Sequence, residues 1–270
     1  MSRIAQAKKL IDNALADLIE ALEKGRSDAL LAYLALAGRF HKYSLRNQML
    51  IYSQDPDATR VAGFHTWKNL GRRVRKGEHG LLIIVPMPLR RRDADQDQDE
   101  CTEIRFGTRF VFDLRQTEGD EFPERPTIEG DPKGFLELLH SLATAKSIDV
   151  TFRDFHPVFE RGIEGLSKGA SIELANDLSP AEEFSVLSHE LAHELLHKDA
   201  GARTLPKIIL ETEAEAVAHA VSSGIGLETN GASSDYISLY DGNADTLRES
   251  LERIQRTART ILEAILPEAS

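Results

Sequence analysis

The 270-residue chain is 41% hydrophobic and 29% charged, enough apolar material for one large domain or two ordinary ones. Its single cysteine, Cys101, excludes an internal disulfide and suits a reducing cytoplasm, and no apolar stretch approaches the ~20 residues that cross a bilayer. The net charge of −11 hides an asymmetry, because residues 1–92 carry 17 Lys and Arg against 8 Asp and Glu while the remainder carries 16 against 36; a basic front joined to an acidic back suggests two modules with different partners, the first suited to nucleic acid.

Residues 4–24 place Ile4, Leu10, Ile11, Leu15, Leu18, Ile19 and Leu22 at helical spacing. Lys8, Lys9 and Asp12 interrupt that run, so the start reads as an amphipathic helix rather than a secretory leader. The break "KGRSD" precedes a second helix after Ser27, and "SLRNQMLIYSQ" reads as a third with Ser44 as N-cap. "GFHTWKNLGRRVRKGEHG" (63–80) is glycine-rich and basic and leads into the apolar strand "LLIIVP". A solvated loop over 90–100 joins it to a return strand, "EIRFGTRFVFDL", in which Ile104, Phe106, Phe110 and Phe112 share one face. Residues 117–134, rich in Pro, Gly and acid, are the best linker, separating a domain over 1–116 from one over 135–270. Beyond it come a helix near 135–146, strands at "IDVTF" and "ASIELAN", a helix carrying "SHELAHELLH" (188–197), another near 208–223 and a long terminal helix. The class is α+β in two domains, the first a helical module with a β-hairpin or small sheet.

"SHELAHELLH" decides the chemistry. In "LSPAEEF" just before it, Ser179 is an N-cap, Pro180 suits the first helical position and Glu182 completes a capping box. His189 and His193 then project from one face, four residues apart, and can reach one ion. Glu190 leans over the open coordination position as general base, the HExxH pattern of zinc peptidases. The ion expected is Zn2+, with another divalent metal such as Mn2+ as the alternative. His197 lies about 12 Å beyond His189 on a straight helix, too far to share the ion. The third ligand should come from "ILETEAEAVAHAV", where Ala214, Val217, Ala220 and Val221 form a buried stripe. Glu213 lies against that stripe and is the favoured ligand, with Glu215 and Glu211 as fallbacks; three carboxylates on a helix are otherwise an ordinary wet face. The strand "ASIELAN" is the candidate edge on which an extended substrate backbone would pair.

In the basic module, Phe64 and Trp67 stand beside Lys68, Arg72, Arg73, Arg75 and Lys76, the mixture of rings and cations that grips single-stranded nucleic acid. The third helix adds Tyr43, Arg46, Asn47 and Tyr52. A chain's only tryptophan is as often core as stacking platform.

The segments "YSLRNQMLI", "GFHTWKNLGRRVRKGEHG" and "VFDLRQTEG" resemble the N-terminal single-strand-DNA-binding domain of ArdC-type antirestriction proteins. "LANDLSPAEEFSVLSHELAHELLH" followed by "ETEAEAVAHAV" resembles their C-terminal domain, a zincin related to the ImmA/IrrE metallopeptidases. The resemblance covers about residues 5–265 in the family's order. It implies a zincin-like α+β back domain whose metal is held by His189, His193 and a Glu of "ETEAEA", with Glu190 as base. It also implies single-stranded DNA as a partner and protection of entering mobile-element DNA as the setting. Tyr236 and Tyr240 fall in a "YI" stretch usual in the family and receive no role, and His219 stands where relatives often carry an aromatic residue, leaving a supporting function open. Two other readings remain: a DNA-responsive protease that cleaves a repressor or a protein trapped on DNA, and a non-enzymatic DNA-binding protein with a structural metal.

Overall fold

The computed structural model describes residues 2–89, 103–121, 131–132, 134–155, 163–196, 205–227, 236–239 and 243–266. In chain order the elements are α1 (Arg3–Glu23), α2 (Asp28–Arg39), α3 (Leu45–Gln54), β1 (Val61–Ala62), α4 (Phe64–Asn69), β2 (Arg72–Val74), β3 (Leu81–Leu89) and β4 (Glu103–Asp113). A short 3-10 helix and β5 (Thr117–Gly119) follow, then α5 (Gly134–Ala145), β6 (Asp149–Arg153), β7 (Gly165–Ser167), β8 (Ser171–Ala175), α6 (Pro180–Leu196), α7 (Lys207–Ile225) and α8 (Ala244–Ile265). The main hairpin and the helices other than α4 lie where the sequence puts them, α4 falls in the glycine-rich basic stretch where no helix was expected, and the chain is an α+β protein. The loop 90–100, most of the linker and His197 lie outside the described residues, as do Cys101 and Tyr240. No helix among the described residues is long and apolar enough to cross a membrane.

Contacts divide the chain into two units, Met1–Ala14 with Arg46–Phe122, and Leu15–Leu45 with Pro123–Ser270. That differs from a single cut at the 117–134 linker, since α2 groups with the C-terminal elements. The physical reason is a glycine contact: a Cβ on Gly38 of α2 would lie 2.0 Å from the Ala220 carbonyl oxygen of α7, so the two backbones touch where only glycine fits.

In the first unit β4 is central, pairing antiparallel with β3 from Leu81↔Val111 to Leu89↔Glu103 and with β1 at Val61↔Asp113. Leu82 of β3 packs with Ala7 of α1 and Leu50 of α3, flanked by Leu10, Ile11 and Ile84. The outer edge of β3 is closed by two amide side chains of α3. Asn47 exchanges hydrogen bonds with the Ile84 backbone at 2.8 and 2.9 Å, and Gln54 does the same with Leu82 at 3.1 and 2.9 Å. A helix here does the work of a neighbouring strand, leaving those backbone groups satisfied. Asp113 ends β4 as a buried hub that accepts from the backbone N–H groups of Thr59, Arg60 and Arg115 and from the Arg115 guanidinium. It also forms a capping box with Gln116, a signature readable in "DLRQ".

The second unit has a three-stranded sheet in the order β6-β8-β7, with β6 parallel and β7 antiparallel to β8. Ile172 and Leu174 of β8 are fully buried. "ASIELAN" is therefore the central strand, not an edge, and the expectation that substrate pairs with it is corrected: its neighbours already occupy both sides. The helix α6 begins at the anticipated capping box, with Ser179 N donating to Glu182 Oε2 at 2.8 Å and Glu182 N to Ser179 Oγ at 3.4 Å. α7 is buried on most of its circumference, its alanines admitting α2, α6 and α8 at close range.

Candidate metal centre and catalytic site

One turn of α6 brings His189 Nε2 and His193 Nε2 to 3.1 Å of each other. From α7, Glu211 Oε2 stands 3.5 Å from His189 Nε2 and 3.3 Å from His193 Nε2. One ligand atom from each of these three residues lies within 4.8 Å of the others, a triangle sized for one ion. Glu215 Oε2, a turn further along α7, sits 3.3 Å from His189 Nδ1, the outer carboxylate that fixes a ligating imidazole. Two imidazoles and a carboxylate suit Zn2+ or Mn2+ and leave positions for water and substrate. Burial alone would lower the His189 pKa, but hydrogen bonds to Glu211 and Glu215 raise it to about 9. The same contacts with His189 and His193 hold Glu211 well below the usual carboxylate range. Negative charge thus converges where a cation would sit.

Glu213 is not part of this triangle. It is fully buried and turned toward α8, where Arg253 Nη2 meets it at 2.5 Å and Arg253 Nε at 3.1 Å, with Ser250 Oγ completing the guanidinium's contacts at 3.0 Å. The reason is angular: residues 211 and 215 share a face, and 213 points about 160–200° away. Equating the most buried face with the metal face fails because the site opens on the less buried side of α7, where the Glu211 side chain is 46% exposed, while Glu213 is fully buried.

Glu190 is 8% exposed. Burial pushes its carboxyl pKa up, while the charges of His189 and His193 and the Ser167 backbone N–H oppose that rise. The strand β7 presses on it closely: a Cβ on Gly165 would fall 2.8 Å from Glu190 Oε1 and 2.6 Å from Val186 Cγ1. Gly165→Ala is therefore expected to displace β7 or Glu190, lowering turnover at least tenfold while Zn2+ affinity, measured by calorimetry, stays within about threefold, since a misplacement near 1 Å alone costs about 10²-fold. Unchanged turnover in that variant would contradict the contact. Sequence reading also missed Glu194, 4% exposed one turn after Glu190, which bonds the segment between β7 and β8. Its spacing from Glu190 on one helix face was the available signal. Tyr236 is buried, and His219 donates to the Leu31 carbonyl, its pKa lowered by burial.

The nucleic-acid candidates fare differently. Trp67 is 1% exposed and its Nε1 donates to the Phe112 carbonyl at 2.8 Å, so it is core and offers no stacking face. Asn47 is committed to β3. Arg72 is spent holding β2 to β5 through Thr117 and the Asp120 carbonyl. Arg73 pairs with Glu118 and Arg75 with Glu78, both at 2.8 Å on the surface. Tyr43 belongs to the second unit, edge-on to Phe40, its carbonyl bonded by Gln255. Arg46, Phe64, Lys68 and Lys76 remain exposed. Phe106 and Phe110 are exposed by 66% and 44%, with the Arg3 guanidinium 5.3 Å over the Phe110 ring and Arg105 and Arg109 in the same strand also exposed. The alternation of β4 was legible, and two rings of the face it defines, Phe106 and Phe110, are open in the structure.

A family model for the N-terminal domain of anti-restriction factor ArdC matches residues 8–113, and one for the IrrE N-terminal-like domain, a peptidase family, matches residues 143–222. An uncharacterized protein of Bacillus anthracis, pXO2-81, is 26% identical over 305 aligned residues, which take in 96% of this chain and 51% of that protein. The chain thus spans about half the length of that relative. Two crystal structures of the antirestriction ArdC protein from plasmid R388 share the fold at 16% identity. The metal-free form has a TM-score of 0.57 over 95% of this chain and 97% of that one, and the Mn(II)-bound form 0.55 over 96% and 99%.

Proposed function

We propose, from the match of residues 8–113 to the ArdC N-terminal domain and of residues 143–222 to the IrrE N-terminal-like peptidase-family domain, that the chain is a single-stranded-DNA-binding metallopeptidase of the ArdC antirestriction type that protects incoming mobile-element DNA. The observation that carries the enzymatic half is the triangle of His189, His193 and Glu211 with Glu190 beside it. A divalent ion held there supplies the Lewis acidity that peptide hydrolysis requires. The Mn(II) of R388 ArdC supports Mn2+ as well as Zn2+ for that role. Glu190 takes a proton from the attacking water and returns it to the leaving amine. The outward backbone of β7 is the edge on which an extended protein substrate would lie, in place of β8. The setting is cytoplasmic, where foreign DNA enters and a lone cysteine stays reduced.

Glu190→Gln keeps the shape of the site and removes the base. Its expected effect is a loss of metal-dependent proteolysis of at least about 100-fold, with DNA binding unchanged; full antirestriction activity in cells carrying this variant would instead favour a purely DNA-binding role. For the DNA half, the support is the exposed rings of Phe64, Phe106 and Phe110 among exposed cations. Phe106→Ala is expected to cost about 1–3 kcal/mol of single-strand affinity, read by fluorescence anisotropy over a salt series. Equal affinity for duplex and single strand, untouched by the substitution, would remove the stacking role.

A further inference from the structure

A buried acid on the motif helix needs partners, and three donors to Glu194 lie on one short segment. Glu194 Oε1 accepts from Ser167 Oγ at 2.6 Å and from the Gly169 N–H at 2.7 Å, and Oε2 accepts from the Ala170 N–H at 2.8 Å. Gly169 and Ala170 have φ of 79° and 66°, two consecutive left-handed residues of the tight turn joining β7 to β8, closed by Lys168 N donating to Ser171 O at 2.9 Å. An alanine adopts that conformation only at a cost, and the Glu194 carboxylate offsets it by accepting both turn N–H groups.

Ser167 links this clamp to the chemistry. Its hydroxyl goes to Glu194 and its backbone N–H to Glu190, one turn earlier on α6. The bonds Lys168 N to Ser171 O and Ala175 N to Glu164 O turn the polar groups of 164 and 168 toward β8. By the alternation of a strand, Gly165 and Ser167 direct theirs away from it, to the side where Glu190 stands.

We infer that Glu194 is a positioning residue for substrate: it pins β7 to α6 so that the Gly165 backbone and the Ser167 carbonyl face an extended peptide beside Glu190, which holds the Ser167 N–H. The inference rests on the metallopeptidase reading of the site. Backbone pairing weakens steeply when donors and acceptors lose alignment, whereas the metal ligands sit on α6 and α7 themselves and do not depend on β7. Removing the clamp therefore separates two affinities that a general loss of structure would lower together.

The test uses the full-length Mn2+-loaded protein and two ligands, acetohydroxamate, which engages only the ion, and an Ala-Ala-Leu peptide hydroxamate, which adds a backbone for β7. Glu194→Ala is expected to leave Mn2+ and acetohydroxamate affinity within about twofold and to weaken the peptide hydroxamate about tenfold, the loss of one or two backbone hydrogen bonds. Amide exchange at Ser167 and Ala170 should accelerate in the same variant. Ser167→Ala, a milder cut in the clamp should Glu194→Ala not fold, is expected to show the same selective loss in smaller degree, and Ser167→Thr to restore it. An unchanged ratio of the two hydroxamate affinities in both variants, or an equal fall of both together with Mn2+, would overturn the positioning role. Failure of the unaltered protein to bind Mn2+ or acetohydroxamate would overturn the metal-site reading itself, and the inference with it.

Discussion

Glu211→Ala should lower Zn2+ or Mn2+ affinity by more than about 100-fold, beyond what loss of an outer partner costs, while Glu213→Ala should leave it within about threefold. The two residues are two apart on α7 and chemically identical, so the contrast isolates geometry. Glu211 Oε2 stands 3.3 and 3.5 Å from the two histidine Nε2 atoms. Glu213 is fully buried against Arg253, and removing it strands a partly buried guanidinium. The expected penalty there is therefore on stability, about 3–5 kcal/mol, read as a lowered denaturant midpoint. Calorimetric titration of each variant checks the first half and urea unfolding the second. A metal-binding defect in Glu213→Ala with none in Glu211→Ala would restore the original sequence assignment.

Asp113→Ala should unfold the first unit first, at a cost of about 3 kcal/mol or more for several buried donors left without an acceptor. The carboxylate is the point where β4 ends, β1 pairs and the loop before β1 is tied down, through N–H groups of Thr59 at 2.6 Å, Arg60 at 3.1 Å and Arg115 at 2.9 Å. Burial alone would raise its pKa, but bonds from the Arg115 guanidinium and the Arg115, Thr59 and Arg60 backbones lower it below the ordinary value. The sign follows from linkage. A carboxylate depressed in the folded state contributes stability that is fully present above its unfolded pKa, about 3.9, and is lost as pH falls through the folded value. Wild type should lose stability in that acid window, and Asp113→Asn should show a smaller loss there. Tryptophan fluorescence follows it directly, because Trp67 is the chain's one tryptophan and lies buried in this unit. An acid profile identical in wild type and Asp113→Asn would refute the assignment.

Much of this was written locally. Helical spacing located α1 and α8, the capping box at Ser179 located the start of α6, and the HExxH register put the candidate ligands His189 and His193 and the candidate base Glu190 on one helix without any tertiary information. What sequence could not supply was direction. Glu211 lies on the partly exposed side of α7 that faces the two histidines, and Glu213 on the buried side, where Arg253 of α8 meets it. Trp67 and Asn47 sit among basic residues in sequence, yet their polar atoms answer backbone groups of β4 and β3 that are 45 and 37 residues away. The edge strand β7, only Gly-Leu-Ser, is too short to show alternation, so the longer and more apolar β8 took its place in the reading. The grouping of α2 with α7 depends on Gly38 meeting Ala220, a contact with no local signature.

Anomalous diffraction from crystals of the full chain grown with Mn2+ is the most direct measurement of the metal site. One strong peak should lie between His189 Nε2, His193 Nε2 and the Glu211 carboxylate, at about 2.0–2.3 Å from each, with Glu190 alongside and not bonded to it. No peak at that position, or a peak held by Glu213, would contradict the site on which the proposed peptidase chemistry depends.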